Sequence, residues 1–164
     1  NCDGLVTNDP AVTLITGHAD CMAFYFVDPV HRALGLAHAG WRGAQGRIGC
    51  QVVRMMQECY QTNPEDIYCG VGPSICGEHF EVDEALGAEF VSMFPYTDCL
   101  RPGKPGKAYV DLWQVAAGQF LEAGILPEHI QLSGVCTYED TRLYSYRREK
   151  PVTGGMAAYL RWLD

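Results

Sequence analysis

The segment TGHADCMAFYFVDPVHRALGLAHAGWRG, residues 16–43, decides the fold because it holds two apolar runs separated by a turn. The first run covers Met22 to Val27 and the second covers Ala33 to Ala37, with an Asp-Pro turn between them. This pattern predicts two neighbouring strands of one sheet. Cys21 begins the first strand and His38 follows the second, so we expect the thiol and the imidazole at the same edge of the sheet.

Outside this segment, short apolar runs alternate with stretches of helical periodicity. Apolar residues at three- and four-residue steps predict helices over 47–61, over 84–94 with Asp83 as cap, and from a capping box at Asp111 to residue 123. Further strands are predicted at 12–16, 67–71, 130–135, 143–147 and 156–163, and residues 95–107 are predicted to form a loop. The irregular order favours an α+β single domain over a doubly wound parallel sheet.

The composition excludes several classes of function. Among 164 residues, 20 acidic and 12 basic side chains give a net charge of -8, which disfavours nucleic-acid binding. No apolar run is long enough for a membrane span. Eight cysteines in a chain of this length fit a reducing compartment better than a disulfide framework. We therefore expect a cytoplasmic protein with neither nucleic acid nor membrane as partner.

Cys21 and His38 allow several chemical interpretations. A thiolate and an imidazole suit zinc, whereas a Cys with two His would suit copper. A His beside a Cys is also the arrangement of a cysteine hydrolase, and a hydrogen-bonded structural pair would need no chemistry at all. Asp20 is a general acid or base or a turn cap, and Arg42 either binds an anion or stacks on Trp41. The remaining histidines are predicted to be surface or structural residues: His18, which is close in sequence to Cys21, and His31, His79 and His129.

Five motifs follow one another along the chain: Ala19-Asp20-Cys21, His38-Ala39-Gly40-Trp41-Arg42-Gly43, Gly72-Pro73-Ser74-Ile75, Cys136-Thr137 and Ser145-Tyr146-Arg147-Arg148. Their order resembles that of the YfiH family, also called the LACC1 or FAMIN family. The resemblance implies a layered α/β/β/α fold with mixed β-sheets. It also implies a zinc site in which Cys21 and His38 are two of three ligands.

The third family ligand is a His in an upstream segment that has no counterpart in this sequence. We therefore expect residues 1–164 to be a single YfiH-like domain that lacks an N-terminal segment of the full-length chain. His18 is the substitute ligand that the sequence offers.

The resemblance implies two activities: phosphorolysis of adenosine, inosine, guanosine and methylthioadenosine, and deamination of adenosine. The substrates would be a purine nucleoside and phosphate. Asp20, Cys21 and Arg42 are the expected catalytic residues, Asp20 for proton transfer and Arg42 for phosphate. The expected substrate-binding residues are Trp41, Ser74, Tyr146, Arg147 and Arg148.

Three alternatives stay open at the level of the sequence. The first is a copper-binding, laccase-like polyphenol oxidase. Multicopper polyphenol oxidase (laccase) is the other description given to this family. The second is a cysteine hydrolase acting on an amide of a cell-wall precursor, and the third is a non-enzymatic binding domain. The sequence does not predict how many chains associate.

Overall fold

The computed structural model describes residues 2–163, which form ten strands and five helices. The strands are β1 (Gly4–Thr7), β2 (Leu14–His18), β3 (Met22–Asp28), β4 (Ala33–Ala39), β5 (Tyr68–Val71), β6 (Glu81–Asp83), β7 (Leu100–Pro102), β8 (Lys107–Val110), β9 (Ile130–Leu132) and β10 (Met156–Leu160). The helices are α1 (Trp41–Gln45), α2 (Ile48–Tyr60), α3 (Glu84–Met93), α4 (Leu112–Glu122) and α5 (Tyr146–Glu149). Single 3-10 turns lie at Pro64–Asp66 and Pro127–His129.

The predicted hairpin forms the centre of the main sheet, whose strand order is β1-β4-β3-β5-β9. β3 and β4 pair antiparallel with Ala23 opposite His38 and Met22 opposite Ala39. Only the β5–β9 pair of this sheet is parallel, so the sheet is mixed. The hairpin is therefore confirmed, and its register brings the start of β3 beside the end of β4.

Both faces of this sheet are covered, which explains the unbroken apolar run in β3. On one face Phe24 and Phe26 pack edge-on against Phe120 of α4, with ring centroids 4.9 and 5.4 Å apart. On the other face Ala23 packs in a smaller cluster with Ala158 of β10. Burying each of these phenylalanines stabilises the fold by about 1.5–3 kcal/mol.

Two smaller sheets complete the fold. β10 pairs antiparallel with β2, and β8 pairs with both β6 and β7. The α+β class with helices and mixed sheets is as predicted, and the three long helices lie close to their predicted positions. Among residues 2–163 no helix combines the length and the apolar character that a membrane crossing requires.

Three local predictions are wrong. Residues 143–147 are not a strand, because Ser145 Oγ accepts from Arg148 N and caps the short helix α5 instead. The predicted loop 95–107 contains β7, which pairs with β8. Asp83 makes no side-chain cap on α3 and pairs with Lys107 Nζ at 2.5 Å. Asp111 does cap α4, as predicted.

Candidate functional site

Cys21 and His38 lie side by side at the edge of the hairpin, over Gly40. A Cβ added at Gly40 would lie 3.1 Å from Cys21 Sγ and 3.7 Å from His38 Cε1. Glycine therefore leaves room for the two side chains where any other residue would press on the sulfur. The juxtaposition follows from the register of β3 and β4, in which His38 pairs with Ala23.

His18 is a second histidine near this pair and the third possible metal-binding side chain. Its ring centroid lies 5.3 Å from that of His38, but both its ring nitrogens are engaged. Nδ1 lies 3.2 Å from the Cys21 carbonyl oxygen, so it donates, and Nε2 at 2.7 Å accepts from Thr16 Oγ1. Burial and the neighbouring His38 lower the pKa of His18 to about 4. His18 is thus a neutral imidazole that would have to release Thr16 before binding a metal.

The donor chemistry of Cys21 and His38 fits zinc, which binds thiolate sulfur and imidazole nitrogen. Burial, followed by the charges of Asp20 and Asp3, raises the pKa of the Cys21 thiol to about 11. Without a cation the thiol is therefore protonated, and a bound divalent ion would supply the charge that the thiolate needs. His38 Nδ1 lies 3.5 Å from Asp3 Oδ1. A carboxylate next to a ligand imidazole is a common way of orienting the ring.

Asp20 connects three distant segments of the chain. It has a φ of 74°, in the left-handed region, and its buried carboxylate turns toward α5. Oδ1 accepts from Thr137 Oγ1 and Oδ2 accepts from Arg147 N, both at 2.6 Å. The Asp20 carbonyl also accepts from Ile75 N at 3.0 Å. These bonds fix the carboxylate and the start of α5 relative to each other.

A cavity of about 410 Å³ brings most of the predicted residues together. Its lining includes five predicted residues, Asp20, Cys21, Trp41, Tyr146 and Arg147, and also Ala19, Ile75, Phe80 and Lys150. The volume lies within the usual range for small-molecule sites. The cavity thus combines aromatic rings, one carboxylate and two cationic side chains.

Two contacts hold the Arg147 side chain in place in the lining of this cavity. Its Nη1 donates to the His79 carbonyl oxygen at 3.0 Å, and its Cζ lies 5.3 Å from the centre of the Phe80 ring. The guanidinium is therefore held in place while retaining N–H groups for an anion. Arg42 is exposed on α1, and its Cζ stacks 4.0 Å from the ring of Trp41, which lines the cavity.

Two predicted substrate residues do not line the cavity. Ser74 is fully buried, and its Oγ accepts from Trp113 Nε1 at 2.6 Å. Arg148 donates to the carbonyl oxygens of Thr137, Tyr138 and Leu143 and to Glu149. Both side chains hold the loops together, so their polar groups are already used within the protein.

One group of possible metal ligands was not predicted from the sequence. The donor atoms of Cys76, His79, Cys136 and Glu139 all lie within 4.8 Å of one another, although His79 was predicted to be a surface or structural residue. The spacings Cys-x-x-His and Cys-x-x-Glu were the available signal. Phe80 and Lys150 also line the cavity, although neither was among the predicted site residues.

Comparisons with known proteins agree with this fold and these motifs. A family model described as multi-copper polyphenol oxidoreductase laccase matches residues 1–163. Purine nucleoside phosphorylase YlmD of Bacillus subtilis is 36% identical over 161 residues, which cover 96% of this chain and 58% of that protein.

Two solved structures have the same fold. The crystal structure of YlmD from Geobacillus stearothermophilus has a TM-score of 0.91 at 35% identity and covers 97% of this chain and 60% of that one. Bacillus licheniformis hypothetical protein YfiH gives a TM-score of 0.87 at 30% identity, covering 96% of this chain and 60% of that one. The chain thus spans about three fifths of the length of these relatives. It belongs to the multi-copper polyphenol oxidoreductase laccase family, the YfiH family that its motifs indicated.

Proposed function

We propose that this chain carries the nucleoside site of a purine nucleoside phosphorylase that cleaves adenosine, inosine, guanosine and methylthioadenosine and also deaminates adenosine. One observation carries the proposal: residues from four separated parts of the chain line a single cavity that suits a nucleoside and an anion. Relatives such as Bacillus subtilis YlmD are named purine nucleoside phosphorylases, which supports the same enzyme class.

The cavity offers a separate partner to each part of the substrates. The rings of Trp41, Phe80 and Tyr146 provide apolar faces for the purine and ribose. Arg147 and Lys150 provide positive charge for phosphate, and Arg42 next to Trp41 adds a third cation at the rim. Holding phosphate beside the ribose carbon turns a bimolecular attack into a nearly unimolecular one.

Asp20 is the proposed proton-transfer residue. It is the carboxylate in the lining of the cavity, and two hydrogen bonds of 2.6 Å fix its position. An ionised carboxylate has about four lone-pair sites, so two remain for a proton on its way to or from the purine.

Cys21 and His38 are the proposed zinc ligands from this chain. Zinc, when bound, activates water and polarises an oxygen or nitrogen of the substrate, which is the chemistry that deamination needs. The two residues keep the ion at the Cys21 end of the cavity, and Gly40 keeps the space between their side chains open.

The alternatives have less support from the described residues. A multicopper oxidase needs clustered imidazoles, but His31 pairs with Asp28, His79 with Cys76 and His129 with Tyr68, so only His18 and His38 are neighbours. A cysteine hydrolase needs an activated thiolate, and the pKa of the Cys21 thiol is raised, not lowered.

The test is an assay of base release by the full-length protein with and without phosphate. We expect phosphate-dependent release, and we expect Arg42→Met and Arg147→Met each to raise the KM for phosphate at least tenfold. Arg54→Met is the matched control, because Arg54 is exposed on α2 and pairs only with Glu58. The melting temperature of each variant checks that it folds.

Three results would contradict the proposal. One is a KM for phosphate that does not change in either cavity variant. Another is oxygen-dependent phenol oxidation that follows the copper content of the protein. The third is the absence of turnover with every nucleoside, which would leave a binding domain.

A further inference from the structure

A second group of metal-binding side chains lies outside the proposed nucleoside site. His79 Nδ1 lies 3.1 Å from Cys76 Sγ, 3.8 Å from Cys136 Sγ and 3.5 Å from Glu139 Oε1. Zinc bonds of about 2.3 Å to sulfur and 2.1 Å to nitrogen or oxygen give a tetrahedron with edges of roughly 3.3 to 3.8 Å. One ring nitrogen has either one hydrogen or one lone pair, so a hydrogen bond satisfies one of these three contacts at a time, whereas a single ion can bind all four side chains.

Two similar turns supply the four ligands. In the first, Cys76-Gly-Glu-His79, the backbone N–H groups of His79 and Phe80 donate to the Cys76 carbonyl oxygen at 3.1 Å. In the second, Cys136-Thr-Tyr-Glu139, Asp140 N donates to the Cys136 carbonyl oxygen at 3.0 Å. Each turn therefore presents its first and fourth side chains on one side, which is a ligand spacing typical of structural zinc sites.

The backbone holds the two turns together without help from a metal. Ser74 N donates to the Val135 carbonyl oxygen at 3.2 Å, and Thr137 N donates to the Ser74 carbonyl oxygen at 3.1 Å. Cys76 N also donates to Cys136 Sγ at 3.3 Å. The two sulfur atoms are thus brought together by a parallel bridge between Ser74 and Cys136.

We propose that Cys76, His79, Cys136 and Glu139 form a second, structural zinc site. Two thiolates and an imidazole select zinc over magnesium or calcium, and four protein ligands leave no open position for catalysis. The two thiols each release a proton to solvent when the ion binds. Both cysteines are buried, whereas the Glu139 side chain is 58% exposed. A cavity of about 280 Å³ lined by Cys76, Cys136 and Glu139 gives the ion a path of entry.

The second zinc site would position two parts of the lining of the cavity that is proposed to bind the nucleoside. Thr137 follows Cys136 directly and donates to Asp20, and the His79 carbonyl oxygen accepts from Arg147 Nη1. An ion that ties the two turns therefore fixes the proton-transfer carboxylate and the anion-binding guanidinium relative to each other. This role rests on the proposed function, whereas the binding of the metal does not.

The experiment uses the full-length protein with Cys21→Ser, which removes the thiol of the nucleoside site. The metal-free protein is titrated with Co²⁺, whose thiolate-to-cobalt charge-transfer absorption reports sulfur ligands, and then with Zn²⁺ against a chromophoric chelator. We expect one equivalent of Co²⁺ with this absorption. In the same background, Cys76→Ser and Cys136→Ser should lower the zinc affinity at least a hundredfold. Glu139→Gln should lower it about tenfold, because water can replace an exposed carboxylate.

Cys59→Ser is the matched control, since Cys59 is an exposed thiol on α2 outside the cluster, and it should leave the titration unchanged. If a cysteine variant does not fold, His79→Gln should show the same loss of affinity. The proposal is overturned if the C21S protein shows no charge-transfer absorption, or if Cys76→Ser binds zinc as tightly as its parent. A Cys76–Cys136 disulfide in the purified protein that gives no zinc binding after reduction would overturn it as well.

Discussion

Asp20 has the structural environment of a residue with two functions. Its carboxylate is buried, accepts from Thr137 Oγ1 and Arg147 N, and still lines the cavity proposed to bind the nucleoside. The bond to Thr137 is structural, because it ties the end of the β2–β3 connection to a remote loop. The position in the cavity is what the proposed proton transfer requires, so the two functions are separable by substitution.

We predict that Asp20→Asn and Thr137→Val separate these functions. Asp20→Asn replaces the carboxylate with an amide that cannot take up and release a proton, so it should lower kcat by about 10²- to 10⁴-fold. Thr137→Val keeps the carboxylate and removes one hydrogen bond, so it should cost about 1–2 kcal/mol of unfolding free energy with less than a tenfold loss in kcat. Urea unfolding and phosphorolysis rates measure the two effects. Equal losses of kcat in both variants would mean that Asp20 only holds the structure.

At the level of single residues, the sequence predicted which side chains meet better than it predicted where they point. The closeness of Cys21 and His38 was predicted because strand pairing fixes which residues meet at a sheet edge. Ser74 and Arg148 belong to motifs of the family, yet their side chains satisfy buried groups beside the cavity. Which way a loop side chain points depends on contacts with remote segments, and local sequence does not contain that information.

The β3–β4 hairpin is the element that brings Cys21 and His38, the proposed metal ligands, together, and Asp28 holds its turn. Its side chain is fully buried, with Oδ1 accepting from Val30 N at 2.8 Å and Oδ2 lying 2.8 Å from His31 Nδ1. Burial alone would raise the pKa of Asp28, but the hydrogen bonds from His31 and Val30 outweigh it and hold the pKa below its ordinary value of 3.8.

We predict a pH-dependent effect of Asp28→Asn. Because the folded pKa is depressed, the carboxylate stabilises the fold fully above the unfolded pKa, and this contribution is lost as the pH falls through the folded pKa. The variant should be less stable at pH 7 by about 1–3 kcal/mol, and the difference should shrink below about pH 4. Urea unfolding at several pH values measures it. Asp98→Asn, at an exposed position, is the control, and a constant difference at all pH values would refute this account.

Gln119 joins three helices in the interior. It is fully buried on α4, its Nε2 donates to the Ala44 carbonyl oxygen of α1 at 2.8 Å, and its Oε1 accepts from Gly49 N of α2 at 3.3 Å. We predict that Gln119→Leu costs about 2–4 kcal/mol of unfolding free energy, because two buried backbone groups lose their partners. Gln114→Leu, exposed on the same helix, should cost less than about 0.5 kcal/mol. Similar losses in both variants would show that the buried amide contributes nothing specific.

At the level of elements, the periodicity of apolar residues predicted the long helices and the central strands. The short elements take their conformation from tertiary contacts, which periodicity does not reveal. α2 and α4 each have a continuous apolar face, so their positions follow from the sequence. β7 has only three residues and exists because β8 pairs with it. α5 forms where aromatic residues favour a strand, because Ser145 and Asp20 accept hydrogen bonds from its backbone.

At the scale of the whole molecule, the cavity proposed to bind the nucleoside is a product of the tertiary fold. Its lining comes from the β2–β3 connection, the start of α1, the turn after β5, and α5 with the residue that follows it. The hairpin and α1 are consecutive in the chain, whereas α5 is remote in sequence and is tied to the start of the hairpin by the hydrogen bond from Arg147 N to Asp20. Sequence motifs could therefore indicate several residues that line the cavity. The shape of the cavity could not be predicted from them, because it depends on the complete fold.

Because the cavity is lined by segments that are distant in sequence, we predict that bound substrates stabilise the whole fold by bridging these segments. A ligand present at 100 times its Kd adds about 2.7 kcal/mol to the unfolding free energy. For a chain of this size that corresponds to a rise in Tm of roughly 5 to 10 °C. We expect this rise with inosine plus sulfate, an unreactive stand-in for phosphate, and a much smaller one with ribose plus sulfate, which lacks the purine. Arg147→Met should remove most of the rise, whereas Arg54→Met should keep it. An equal rise with ribose would show that the aromatic wall of the cavity does not bind a base.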